Sequence, residues 1–208
     1  DMLSYNEEEQ TYKLGLKLVR MAHSAWLQSS LAPVAVPFID DLSAKVGETV
    51  HLAELDNGQV LYVDKRNPAS PIEMYSQAGK VGPAYCTGVG KAMMAFLDES
   101  ELNKVISKQA FHKYTEHTIT SAKALKKELA TIKKEGISFD RQEHEEKIIC
   151  ISSPILTSGG KVIGGLSITS SIDIHSLKSL EKFKPELLET SELIGKEAGA
   201  WSFPEKNY

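Results

Sequence analysis

Residues 48–65 read ETVHLAEL, then DNG, then QVLYVDK. Two runs rich in aliphatic and aromatic residues are joined by Asp56, Asn57 and Gly58, and Asn-Gly is the strongest short signal for a tight antiparallel hairpin. A hairpin at this place constrains the whole chain, because an antiparallel pair seeds a sheet that the other strand-like runs must join. Those runs are PIEMYSQ at 71–77, ISFDRQE at 137–143, IICISSPI at 148–155 and KVIGGLSITS at 161–170, with a turn at Ser158–Gly160 between the last two. Helical spacing fills the intervals. LKLVRMAHSAWLQ at 16–28 carries Leu18, Met21, Ala22 and Ala25 on one stripe with Trp26 alongside. A second helix is punctuated by Pro33 and Pro37, carries Phe38, Leu42 and Val46, and stops at Gly47. Another begins at Gly88, Asp98 and Glu101 have the spacing of a capping box, and a further helix runs from Ser121 to Gly136. His175–Trp201 reads as one long helix, or as two pieces interrupted at Pro185. At the start, Leu3 and Tyr5 face Tyr12 and Leu14 across the polar tip Asn6–Gln10, a small hairpin that needs sheet partners of its own. Helices and antiparallel strands in mixed order predict an α+β fold, a sheet with helices packed on it.

Charge removes several classes of function. The 208 residues carry a net charge of −4, which argues against a nucleic-acid surface on this piece, since phosphate binding needs clustered Lys and Arg. The basic runs Lys123–Lys127 and Lys133–Lys134 alternate with Leu125, Leu129 and Ile132 and form the wet face of an amphipathic helix. No apolar run approaches a membrane span; the longest, Val162–Ile168, contains Gly164, Gly165 and Ser167. Two cysteines, Cys86 and Cys150, are too few for a disulfide scaffold, and a reducing cytoplasm is the expected compartment. The chain begins at Asp1, so it is expected to be a piece of a longer protein.

Strand parity supplies the clearest chemical clue. Side chains alternate across a sheet, so Cys150, Ser152 and Pro154 share one face, and Ser167 and Thr169 share a face on the next strand. Small neutral donors and acceptors of this kind bind a small ligand at modest desolvation cost, or else fill tight core gaps. Asp140 stands ready to accept a hydrogen bond, either from a ligand or as a loop cap. YCTGVGKAMMAFL at 85–97 places Gly88, Val89 and Gly90 at a helix start, where bare N–H groups favour an anion, although no phosphate-loop pattern is present. Pairing of Cys150 or Cys86 with His51, His144 or His112 would make a nucleophile, but no local motif joins them. No ligand spacing supports a metal site, no cofactor is called for, and His51 reads as a satisfied core or pocket-edge residue.

Three segments resemble the effector-binding domain of the isocitrate lyase regulator (IclR) family of bacterial transcription factors. They are YKLGLKLV at 12–19, GPAYCTGVGKAMMAFL at 82–97, and GISFDRQEHEEKIICISSPI with VIGGLSIT at 136–169. The resemblance implies a GAF-like or profilin-like antiparallel sheet flanked by helices, sensing a small-molecule metabolite effector. It implies residues 1–14 as the remnant of the wing of an N-terminal winged helix-turn-helix, 15–29 as a linker helix and 30–208 as the effector-binding domain. It also implies DNA as a partner through the missing N-terminal domain, assembly as a homodimer or homotetramer, and no membrane. By matching motif positions, the pocket is expected at Met74, Gly88, Val89, Asp140, Ile148, Cys150, Ser167 and Thr169. Two positions depart from the family pattern: Lys147 stands where glycine is usual, and Thr169 where serine is common. The ligand expected is an aliphatic keto- or hydroxy-acid or a sugar acid. The rival reading is a hydrolase or thiol-dependent enzyme using Cys150.

Overall fold

The computed structural model describes residues 1–29 and 31–200. The chain opens with strands β1 (Leu3–Asn6) and β2 (Thr11–Leu14), which pair antiparallel with Leu3 opposite Leu14 and Tyr5 opposite Tyr12 as a two-stranded sheet of their own. Helices α1 (Leu16–Ser29) and α2 (Ala32–Val46) follow. Pro33 sits in the first turn of α2, where its missing N–H has no intrahelical acceptor, and Gly47 ends the helix at φ 67°. Strands β3 (Thr49–Asp56) and β4 (Gln59–Arg66) form the expected hairpin, with Asn57 and Gly58 both at positive φ, 50° and 84°.

Next come β5 (Val81–Pro83), α3 (Gly88–Met94), α4 (Glu99–Ser107), α5 (Ala122–Glu135), β6 (Ser138–Arg141), β7 (Ile148–Leu156) and β8 (Val162–Ser171). Asp98 caps α4 by accepting from the Glu101 N–H at 2.8 Å. Ser121 caps α5, and Gly136 closes it at φ 73°. The chain ends its described part with α6 (Leu177–Leu180), a 3-10 turn at Glu181–Phe183 and α7 (Lys184–Ala200). The break therefore precedes Pro185, which occupies the second position of α7 and interrupts nothing. Trp201, the expected end of that helix, lies outside the described residues.

Six strands form one antiparallel sheet in the order β5-β4-β3-β8-β7-β6. Apolar clusters fill both sides. On one, Val50, Leu52, Ile149, Ile151, Ile155, Leu166 and Ile168 pack with Leu31, Ala35 and Ile39 of the α2 region and with Leu187 and Ile194 of α7. On the other, Ala53, Val60 and Tyr62 pack with Val89, Met93 and Met94 of α3 and with Leu125, Leu129 and Ile132 of α5. The α+β arrangement with a helix-flanked antiparallel sheet is as the sequence predicts. The segment 71–77 differs. It is irregular, and the Tyr75 N–H goes to the Glu145 carboxylate at 2.9 Å instead of to a neighbouring strand. The strand that does form in this region, β5, lies inside the stretch AGKVGPAY at 78–85 and pairs with β4.

Candidate functional site

Pairing register gathers the polar residues. Across β6, β7, β8 and β3, Asp140 lies opposite Cys150, Cys150 opposite Thr169, and Thr169 opposite Thr49. One row along, Ser138 lies opposite Ser152, Ser152 opposite Ser167, and Ser167 opposite His51. Directly paired residues on adjacent strands point to the same face, so eight side chains of four strands form two lateral rows beneath α3. All eight are buried.

Helix α3 presses onto these rows. A β-carbon at Gly88 would overlap Cys150 Sγ and come within 2.7 Å of Ser152 Oγ, while one at Gly90 would lie 2.5 Å from the Ala84 carbonyl oxygen. From the sheet side, a β-carbon at Gly165 would lie 2.6 Å from Val89 Cγ2. The glycines of this motif thus permit close packing of helix on sheet and helix on its own preceding loop. Thr87, at the N-cap position, donates its hydroxyl to the Pro83 carbonyl at 2.8 Å and makes no side-chain cap. The first N–H groups of α3 are left without that partner at the rim of the rows.

Between helix and sheet lies a cavity of about 30 Å³. Gly88, Val89, Asp140, Ile148, Cys150, Ser167 and Thr169 all line it, and Met74 does not. Ser76, two residues after Met74, takes that place. It is fixed by His51, whose Nε2 lies 2.8 Å from its hydroxyl, and by Lys65, whose Nζ donates to its carbonyl at 2.8 Å. His144 and Glu145 close the mouth, where the Tyr75 and Tyr114 rings meet His144 edge-on with centroids 5.5 and 4.8 Å away.

Ser76, Thr87, His144, Glu145 and Tyr62 lie outside the expected set, and His51, read from sequence as a core or pocket-edge residue, stands on the cavity wall. Parity alone indicates the Ser76 position, since Ser76 and Met74 are two residues apart, and it sets His51 on the face of Ala53. What local sequence does not reveal is that β3 lies beside β8.

Burial governs the electrostatics. It lifts the Asp140 carboxyl to about 7, with Glu143 adding to the rise, while Lys91 and the Glu143 N–H, 2.7 Å from Asp140 Oδ1, pull the other way. Burial pushes the Cys150 thiol up to about 12, helped by Asp140. Burial, with Lys65 nearby, lowers His51 to about 3, so its ring is neutral. A thiol held protonated at neutral pH is a poor nucleophile. His51, for its part, has both ring nitrogens against hydroxyls of Ser76, Ser167 and Thr169. Among the described residues no group of three or more His, Cys, Asp and Glu could hold a metal ion.

Behind the cavity, Lys91 of α3 is wholly buried in an ion pair with Glu143, with Glu128 of α5 at 3.7 Å. Arg141 reaches the same Glu128 at 2.7 Å. This network joins α3, α5 and the loop after Asp140, and so fixes the wall that carries Asp140.

Residues 23–196 match the model of the family described as bacterial transcriptional regulator IclR C-terminal. The chain belongs to the IclR family. Among curated IclR relatives, the HTH-type transcriptional regulator KdgR of Escherichia coli K12 is 31% identical over 197 residues, covering 95% of this chain and 75% of that protein. Among solved structures, the Thermotoga maritima IclR superposes with a TM-score of 0.85 at 29% identity, covering 95% of this chain and 80% of that one. An IclR homologue from Microbacterium hydrocarbonoxydans, complexed with 4-hydroxybenzoate, shares the fold with a TM-score of 0.79 at 21% identity, covering 96% and 80% of the two chains. IclR relatives are named as regulators and repressors rather than enzymes, which closes the thiol-enzyme reading of Cys150. No helix of the described residues is long and apolar enough to cross a membrane.

Proposed function

We propose that the cleft beneath α3 is the effector site of a ligand-sensing domain in a DNA-binding regulator, and that it takes a small aliphatic keto- or hydroxy-acid, or a sugar acid. One observation carries this reading: the start of α3, with no side-chain cap, and His51, Asp140, Cys150, Ser167 and Thr169 of the two rows line one cavity. The ligand carboxylate sits at the helix start, where the partial positive charge of the dipole and free donors favour it. The hydroxyl rows take its other oxygens. Asp140, protonatable near neutral pH, donates to an anion when protonated and accepts from a hydroxyl when ionised. The cavity of about 30 Å³ holds roughly two water molecules, so a short acid of six non-hydrogen atoms needs it to widen, and a sugar acid needs it to widen further.

The wider reading follows the family. The hairpin at 1–14 is the wing remnant of a winged helix-turn-helix, α1 is the linker, and residues from 30 onward form the sensor. Homodimers or homotetramers place the DNA-binding heads, and effector binding alters their spacing by favouring one arrangement of subunits.

A calorimetric screen tests the site. Lactate, pyruvate and gluconate are titrated beside glucose and 4-hydroxybenzoate. Binding of at least one aliphatic acid is expected. Silence from all three acids, with glucose or 4-hydroxybenzoate binding instead, would overturn the ligand class. The full-length regulator is expected to bind duplex DNA with steep salt dependence, whereas these 208 residues, at net charge −4, are not.

A further inference from the structure

His51 is buried to 2% exposure near the start of β3 and links the two sides of the cavity. On the loop side its Nε2 lies 2.8 Å from Ser76 Oγ. On the floor side its Nδ1 lies 3.3 Å from both Ser167 Oγ and Thr169 Oγ1, which are themselves 3.4 Å apart. The loop-side bond is short, and the floor-side nitrogen is shared between two hydroxyls at long range. A neutral imidazole offers one donor and one acceptor, and burial keeps this ring neutral. The three hydroxyls can each rotate to serve either tautomer. The floor-side nitrogen is therefore open to a better partner, and any change of tautomer there reaches Ser76.

We propose that His51 is a specificity-determining residue of the acid site: with Ser167 and Thr169, its Nδ1 receives the oxygen on the carbon next to the effector carboxylate, while its Nε2 fastens the loop 67–80 through Ser76. The inference rests on the acid-site reading above. A keto oxygen accepts from Nδ1–H, which leaves Nε2 to accept from the Ser76 hydroxyl. A hydroxy oxygen pairs with Nδ1 in either tautomer, because it both donates and accepts. A plain alkanoate offers nothing at that position, and its chain covers three buried polar groups without pairing them. A site built to hydrogen-bond a substrate oxygen rejects the analogue that lacks it far more strongly than an apolar pocket rejects a methylene.

Lactate and propionate differ by that one oxygen and serve as the probes. In calorimetry the wild-type chain is expected to bind lactate at least about tenfold more tightly than propionate. His51→Phe, which keeps the ring and removes both nitrogens, is expected to bring the ratio to within about twofold, and His51→Gln, which restores a donor and an acceptor, to recover part of it. A purely structural histidine would lower the unfolding midpoint in His51→Phe and leave the ratio untouched, and that outcome overturns the proposal. Where His51→Phe does not fold, imidazole nitrogen NMR shifts of the wild type decide. Lactate must move the His51 pair and propionate must not; equal responses overturn the proposal. If none of lactate, pyruvate, gluconate and propionate binds the wild type, the acid-site reading fails and this inference with it; if gluconate alone binds, the acid-site reading stands and an unaltered gluconate affinity in His51→Phe overturns this inference. Lactate binding with an unaltered ratio in His51→Phe sinks the inference alone.

Discussion

On β7 and β8, the residues packed toward α2 and α7 are Ile149, Ile151, Ile155, Leu166 and Ile168, whereas those beneath α3 are Cys150, Ser152, Ser167 and Thr169. The two sets alternate along the same strands, and both are buried. One face is a mainly aliphatic layer, interrupted by the small buried Ser153 and Ser170. The other keeps small polar groups and a cavity, with α3 held over it by glycines. Polar burial of this kind is tolerable because most of the groups hydrogen-bond one another, as in the Cys150–Ser152 and Ser167–Thr169 pairs. It contributes less to stability per residue than the aliphatic face does. The difference teaches where a small sensor can afford function: on the face whose stability is supplied from behind.

The sharpest way to break this comparison is one truncation on each face. Ile151 is fully buried on the aliphatic side, and Ile151→Ala is expected to cost about 3 kcal/mol, as cavity-forming substitutions of this size do. Ligand affinity should hardly change. Ser167→Ala removes a single hydroxyl bonded loosely to His51 and Thr169, and is expected to cost under about 1 kcal/mol while weakening acid binding about tenfold. Urea unfolding and calorimetry on the two variants give both numbers. Equal destabilisation by the two would show that the polar rows are structural.

A second contrast lies within the polar face, in its response to pH. Asp140 titrates near 7 in the folded chain against an ordinary value of 3.8. As pH rises from about 4 to 7 the unfolded chain ionises first, so this group's contribution to stability is present below 4 and is lost on the way up to 7. His51 titrates near 3 in place of 6.5. Its contribution is present above 6.5 and is lost as pH falls toward 3. Between about 4 and 6.5 the two slopes oppose, each at most about 1.4 kcal/mol per pH unit. Subtracting the wild-type curve, Asp140→Asn is expected to be increasingly stabilising as pH rises from 4 to 7. His51→Gln is expected to be increasingly stabilising as pH falls from 6.5 to 3. Difference curves without those slopes would mean that water reaches both groups.

Much of the fold was legible locally. The Asp56–Gly58 turn, the Asp98 and Ser121 caps and the glycines at 47 and 136 each write a backbone geometry into one or two residues, and the structure has them all. Segment 71–77 misled because its alternation is real while its backbone partners are not. A loop whose N–H is satisfied by the Glu145 side chain carries no local mark that tells it from a strand. Parity sorted the strand residues correctly onto faces. It could not show that Ser167 would meet His51, because the pairing of β3 with β8 is a long-range fact that no turn records. Gly88 and Gly90 also proved less specific than they look. Their missing side chains answer first to Cys150, Ser152 and Ala84.

The smallest effect concerns the loop that carries Asp140 into β7. Lys147 has φ 67°, inside the left-handed region that favours glycine. A non-glycine residue there costs roughly 1–2 kcal/mol, and the conformation persists because the Lys147 N–H donates to Gln142 Oε1 at 2.9 Å and its carbonyl accepts from the Ile172 N–H at 2.9 Å. The side chain contributes little in return, since its 3.3 Å pair with Asp173 is about two-thirds exposed on both partners. Glycine relieves the strain and restores roughly 0.5–1 kcal/mol of chain entropy to the unfolded state, so Lys147→Gly is expected to stabilise by at most about 1 kcal/mol. Gln142, at φ 64° in the same loop, is the control, because Gln142→Gly relieves the same strain but removes the acceptor that holds the turn. It should stabilise less than Lys147→Gly or not at all. Lys147 does not line the cavity, so lactate affinity in Lys147→Gly should stay within about twofold of wild type. A larger change would show that the conformation of this loop sets the position of Asp140, and the binding face would then extend beyond the two polar rows into the turn that connects β6 with β7.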